Sequence, residues 1–409
     1  MFTIAGGQNS PVVAAVPLSG GSPAGPVREI VSNAEAAQFV SPGHLVHWRG
    51  TSFLALPFDL VSLRVTGPAV PVLGRAGAAI VSIDDAKFLA VSATGTLVYS
   101  PREQQRSSRR LVWVDRRGGE IPLDLPPRDY YDPSISPEGN RIAITVLEEK
   151  SQHVWVLTPK TGALTRLTFG ETYNMAPVWT PDGRRIVYVV GEPGAVFSRS
   201  ADGAGSPVTL SPKEERSFPT SWSPDGKTLA MLGIGPPEGY GVTTLRCEEA
   251  GGVKGPCRVE KLTATKKPEA LPYFSPDGRY LAYVSGESGG SEVYVQTFPG
   301  PGGKWQVSTA GGTEPRWSRD GKELFYRTRN GDALMAVPVA LSPSFSFGAP
   351  RKLFEAPYAM VGGVDNYDVA PDGRFLFMKN VEGSSRLSLE LVLNWPTELA
   401  RLAPPGGTK

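Results

Sequence analysis

Few residues in this chain have the types and spacing that chemistry needs. Gly286-Glu287-Ser288-Gly289-Gly290 matches G-x-S-x-G, the spacing that lifts a serine nucleophile onto a sharp strand-to-helix turn. That arrangement requires a helix next and a histidine later. Here EVYVQTF follows, alternating as a strand does, and the only histidines are His44, His47 and His153. The motif therefore reads as a turn. His44 and His47 stand three apart in a strand-like run, so they point to opposite faces and are poorly placed to share a metal. Gly300-Pro301-Gly302-Gly303-Lys304 has Trp305 where a phosphate-binding loop requires Ser or Thr, and a strand-like run follows. No metal site, phosphate cradle or catalytic constellation emerges, and no cofactor is expected.

Cys247 and Cys257 flank EEAGGVKGP, with VTTLR and RVEKL on either side. A cysteine on each arm of a hairpin permits a cross-hairpin disulfide, which would place the chain in an oxidising compartment. The alternative is two free thiols. A zinc site is excluded, because two cysteines are too few and the nearest histidine is 94 positions away (247−153).

The elements that position these residues come from a repeated phrase. It reads VSPGHLVHW, VSATGTLVY, ISPEGNRIAI, WTPDGRRIVY, WSPDGKTLAM, FSPDGRYLAY, WSRDGKELFY and VAPDGRFLFM. Its glycines are Gly43, Gly95, Gly139, Gly183, Gly226, Gly278, Gly321 and Gly373, spaced by 43 to 52 residues (226−183, 95−43). A self-similar unit of this length, made of strands and tight turns, indicates a β-propeller. In LPYFSPDGRYLAYVSGESGGSEVYVQTFPGPGGKWQVST, Pro-Asp-Gly reverses the chain, and four strand-like runs are separated by turn residues.

The expected fold is all-β, a single propeller of four-stranded antiparallel blades. Eight blades are expected, or seven if the units around Gly43 and Gly95 share one. Residues 11–398 would form the ring, closed by N-terminal strands that complete the last blade. Residues 1–10 and 399–409 would be flexible ends.

The apolar residue four before each glycine (Ile135, Trp179, Trp222, Phe274, Trp317, Val369) is expected to pack between blades. The acid just before the glycine, as in Asp182 and Asp277, is expected to serve the turn. Residues leading into each first strand are more varied and would line the channel mouth. They are Tyr131, Asp132, Asn174, Met175, Ser217, Phe218, Glu269, Thr313, Glu314, Asn366 and Tyr367. Convergent polar groups in a concave site are the default ligand contacts.

Bulk properties fit this reading. The 42 basic and 40 acidic residues nearly balance, which gives no argument for nucleic acid or an anionic membrane. The 47 glycines and 39 prolines recur at fixed repeat positions and act as turn punctuation. The basic run around Arg102, Arg106, Arg109 and Arg110 reads as a solvated loop. No apolar run is long enough to span a bilayer, and MFTIAGGQNS shows no signal-peptide pattern.

WSPDGKTLA, FSPDGRYLAYVS and WTPDGRRIVY resemble the repeat of TolB-type propellers over nearly the whole chain. SGESGGSEVYVQTFPGPGGKWQVSTAGGTEPRWSRDGKELFY, GTLVYS with RRLVWVDRRGGE, and LVLNW resemble the C-terminal propeller region of bacterial membrane serine/threonine kinases of the acidobacterial kind. The resemblance implies a non-catalytic binding or sensing module with a protein or peptide partner, monomeric, in the periplasm or outside the cytoplasmic membrane. The cytoplasm is the alternative. A detached kinase sensor region, or a propeller hydrolase or lyase, are the alternative functions.

Overall fold

The computed structural model describes residues 108–404 apart from 149–150, 171, 192–193, 212–216, 236–238, 250–256, 263–266, 301, 362–364 and 382–389. Of the earlier chain it describes 2–4, 12–16, 18–19, 22–32, 35–41, 43–49, 52–73, 89–92 and 95–99. The chain divides into two compact units, Met1–Arg106 with Ser385–Lys409, and Ser107–Ser384.

In the second unit the repeat phrase folds one way each time. The hairpin glycine amide donates to the carbonyl three residues back, as from Gly183 to Thr180 at 2.8 Å and from Gly278 to Ser275 at 2.9 Å. Gly183 and Gly278 have φ of 68° and 72°, a region that only glycine enters without strain. The preceding acid completes the turn. Asp182 accepts the Thr180 hydroxyl at 2.6 Å and the Arg184 amide at 3.0 Å, and Asp225 does the same with Ser223 and Lys227. The repeated carboxylate is a turn device, as the sequence suggests.

Each turn joins an inner strand to its antiparallel neighbour. The inner strands are Tyr130–Ile135, Asn174–Trp179, Ser217–Trp222, Glu269–Phe274, Thr313–Trp317 and Tyr367–Val369. Four-stranded sheets grow outward from each of them, the fifth with one extra short strand. Every inner strand contacts the next, and the last returns to the first. The unit is a closed β-propeller of six blades. The sixth is completed by Arg109–Val114, which pairs with Phe375–Asn380 over its full length, and by Glu120–Pro122 outside it.

This corrects the expected eight or seven blades. The ring is closed by strands starting at Arg109, and not by strands near the N-terminus. The Gly43 and Gly95 phrases consequently fall outside it, in the first unit. Arg109 is also not a solvated loop residue. It is buried, with its guanidinium 2.8 Å from Asp129. Residues 101–107 of that basic run lie outside the described residues.

The residues four before each glycine are buried between blades, and Phe325, Phe375, Phe377 and Phe354 fill the seam between the fifth and sixth. Cys247 and Cys257 form a disulfide across the third blade's outer hairpin, closing a short loop. A crosslink of that loop length stabilises by about 2–3 kcal/mol. Cys247→Ser with Cys257→Ser is therefore expected to lower unfolding free energy by about that amount in urea titrations. An unchanged midpoint would show that the hairpin holds without the bond.

Among the described residues the first unit holds four small sheets, the smallest pairing Leu18–Ser19 with Ser22–Pro23. One joins Phe2–Ile4, Val12–Ala15 and Arg28–Ser32. Another joins Glu35–Val40, His44–Arg49, Ser52–Asp59 and Val70–Leu73. The third joins Leu89–Val91, Leu97–Tyr99 and Glu390–Val392. A helix, Trp395–Leu402, buries Trp395 and Leu399 against Val46, Phe53 and Leu97. Residues 399–402, expected in a flexible tail, are the end of this helix. Of the rest of the expected flexible ends, Phe2–Ile4 is a strand and Ala403–Pro404 follow the helix, while residues 1, 5–10 and 405–409 lie outside the described residues. His44 is buried, with Nε2 2.5 Å from the Ala403 carbonyl. Among the described residues no cluster of His, Cys, Asp and Glu could hold a metal, and no helix is long and apolar enough to cross a membrane.

Candidate functional site

The inner strands do not run regularly. In five of them the pairing register shifts partway along, as between Tyr131 and Ser134 or Thr313 and Arg316. An extra residue in one strand bends it and interrupts the alternation of its side chains. The residue seven before the hairpin glycine sits in this bulge. Asp132, Ala176, Leu271 and Glu314 have φ near 50° there, a conformation costly for any residue with a side chain.

Beyond the bulges the six inner strands surround a cavity of about 330 Å³ on the ring axis. Its wall carries the residue five before each glycine: Ser134, Val178, Ser221, Tyr273, Arg316 and Asp368. The inter-blade residues four before the glycine, including Trp179, Trp222 and Trp317, also reach it, and prolines of the turns form its rim.

One charged cluster occupies the wall. Arg316 is buried, with Nη2 2.8 Å from Asp365 and Nε 3.9 Å from Asp368. Its guanidinium lies 3.6 Å over the Tyr273 ring, and the Tyr273 hydroxyl donates to Asp365. Asp368 also accepts the Ile135 amide at 2.7 Å. Burial works against the charge on Arg316, yet Asp365, Tyr273 and Asp368 hold its pKa above the ordinary guanidinium value. Burial, with a contribution from Asp365, pushes the Tyr273 phenol well up, so it stays protonated. The cluster is an internally satisfied cation with fixed dipoles.

None of the eleven residues expected at the mouth lines this cavity. They lie earlier on the same strands, mostly buried. Asn174, Met175, Ser217 and Glu269 pack at the strand starts, and Tyr131, Phe218 and Thr313 are partly exposed there. Three of the eleven form a group, and Asp132 lies apart from it among other partners. Asn366 Nδ2 donates to Glu314 at 2.6 Å, and the Tyr367 hydroxyl donates to the Glu314 carbonyl at 2.9 Å. Asp132 accepts the Thr145 hydroxyl at 3.0 Å and the Ala176 amide at 3.1 Å, and it faces Asp365. Burial, reinforced by the Asp365 charge, raises Asp132 to about 7. Burial also raises Glu314, against the pull of Arg327 and Asn366.

Sequence reasoning missed Arg316, Asp365, Asp368 and the arginine at position 319. A signal existed. The residue five before the glycine changes from blade to blade next to the nearly constant turn residues.

The six-bladed geometry can be set beside known proteins. The solved structure of a protein assigned to TolB from Agrobacterium tumefaciens superposes with a TM-score of 0.53 at 17% identity. The match covers 67% of this chain and 99% of that one. The fold is that of a TolB-like β-propeller. Among sequences, a protein named TolB homolog from Chlorobium luteolum is 35% identical over 137 residues, 33% of this chain and 29% of its own length. An uncharacterised peptidase, YuxL, from Bacillus subtilis is 27% identical over 211 residues, 50% of this chain and 30% of its own length. The chain thus spans less than a third of each of these two relatives. No family model matches it.

Proposed function

We propose that this protein is a non-catalytic binding module whose second unit takes its partner at the axial cavity. The observation that carries this is the convergence of all six inner strands on one concave site, its charges fixed in advance by Arg316, Asp365, Asp368 and Tyr273. Preorganised, satisfied polar groups amid apolar walls favour recognition, since little ordering remains to be paid on binding. Both wall carboxylates are committed to Arg316, to Tyr273 or to the Ile135 amide, which leaves no free acid–base pair there. The hydrolase or lyase alternative would draw on Tyr131, Asp132 and Tyr367, and these are engaged with Arg109, Thr145 and Glu314.

The partner is a protein or peptide, as for a TolB-like scaffold. Ser134→Trp places a large ring in the cavity at a residue whose side chain is half-buried. Proteins recovered from envelope extract by the wild type are expected to be lost with this variant. Equal recovery by both would remove the cavity from the binding surface.

The disulfide supports a place outside the cytoplasm, in the periplasm. It also suits the alternative reading, the sensory region of a membrane serine/threonine kinase. A kinase and membrane segment encoded in frame upstream would favour that alternative.

A further inference from the structure

The position two before the hairpin glycine is proline in five blades of the ring: Pro137, Pro181, Pro224, Pro276 and Pro371. The fifth blade has Arg319. Proline in this turn lowers the entropy of the unfolded chain, so an arginine there forgoes a small stabilisation. Its side chain reaches over the cavity opening, where Nη2 approaches the Ile135 carbonyl of the first blade at 3.5 Å. That is the limit of a hydrogen bond. Among the described residues no carboxylate pairs with Arg319. Its neighbour Asp320 is held by Ser318, the Lys322 amide and the Lys322 ammonium. Asp365 and Asp368 are held by the Arg316 cluster.

The cavity therefore has one guanidinium with spare donors at its edge, facing walls of Trp179, Trp222, Phe274 and Trp317. A guanidinium presents two parallel N–H groups that match a carboxylate, and apolar walls strengthen such a pair by excluding water. Resting on the cavity reading above, we infer that the site selects a ligand with an apolar or aromatic body and a single carboxylate, which Arg319 binds. The carboxylate can belong to a free aryl acid or to the C-terminus of an apolar peptide.

The test uses matched probes on the full chain, followed by calorimetry. N-acetylphenylalanine is expected to bind about tenfold tighter than N-acetylphenylalaninamide, the usual effect of one charge-assisted pair. Arg319→Gln is expected to erase the difference. Arg319→Pro, which restores the turn residue of the other blades, is expected to erase it with thermal stability equal or higher. 3-Phenylpropionate and acetyl-Ala-Ala-Phe with a free C-terminus distinguish the two sources, the second gaining affinity only if peptide backbone is read. Equal binding of acid and amide, or a preference that survives in Arg319→Gln, overturns the inference. If neither probe binds while Ser134→Trp still loses its captured proteins, the inference falls and the cavity reading stands.

Discussion

Replacing Arg327 by methionine is expected to lower the unfolding free energy of the six-bladed unit by about 4 kcal/mol. This guanidinium is fully buried. Nη1 donates to the Ala359 carbonyl at 2.9 Å, and Nη2 lies 3.1 Å from Tyr358 O and 3.3 Å from Ala356 O, with the Gly331 carbonyl close by. Glu314 Oε2 lies 3.9 Å away and has no hydrogen-bond donor of its own. The segment Ala356–Ala359 leaves the outer strand of the fifth blade and leads toward the inner strand of the sixth. It has no sheet partner for most of its carbonyls, so one side chain supplies what a neighbouring strand would.

Methionine fills much of the same volume but donates nothing. Several buried carbonyls then lose their donor and Glu314 loses its counter-charge. Arg327→Lys separates these effects. It keeps the charge but cannot span the same carbonyls from one flat group, so about half the loss is expected. Urea midpoints followed by tryptophan fluorescence measure both. A loss below about 1 kcal/mol for methionine would show that water replaces the guanidinium.

How much of this was legible beforehand differs by level. The blades were readable because the Pro-Asp-Gly turn is a local device. Proline, the acid and glycine each fix part of one hairpin, and no distant contact is needed. The blade count was not readable. RRLVWV looks like any half-buried strand, and only its pairing with Phe375–Asn380 makes it the closing strand. That choice lies in contacts across more than 260 positions (375−109). The cavity itself was not legible for a different reason. The eleven mouth residues are those leading into each first strand, whereas the cavity lies past the bulges at Asp132, Ala176, Leu271 and Glu314, nearer the hairpin turns. Glycine would have advertised such backbone. Instead Asp, Ala, Leu and Glu hold it, stabilised by neighbours such as the Ala176 amide on Asp132. Arg319 interrupts the proline series of the six ring phrases, but Ser41 and Ala93 also break it in the two phrases outside the ring, and its meaning depends on which end of the strands holds the cavity.

Asp132→Asn is expected to stabilise the protein at alkaline pH and to leave it nearly unchanged in acid. The carboxyl is buried and faces Asp365, and its pKa rises from 3.8 to about 7. The sign follows from proton counts. Below about pH 4 folded and unfolded chains both hold the proton, so the group contributes no pH dependence. Between about 4 and 7 the unfolded chain has lost it and the folded chain keeps it, so stability falls as pH rises. Above about 7 the cost is complete, with a ceiling of about 4 kcal/mol for a shift of this size. Asparagine removes that cost. Its amide oxygen can still accept from Thr145 and Ala176, and it tolerates the φ of 49° better than most residues. The advantage of the variant should therefore grow from near zero at pH 4 toward that ceiling at pH 8. Glu314 is also raised by burial, but it remains in both proteins and largely cancels in the difference. Asp132→Ala loses both acceptors and the tolerance for this backbone, and is expected to be less stable than Asp132→Asn at every pH. A stability difference between Asp132→Asn and the wild type that stays constant from pH 5 to 8 would mean that Asp132 is already ionised at pH 5, with Arg316 offsetting the charges of both Asp132 and Asp365.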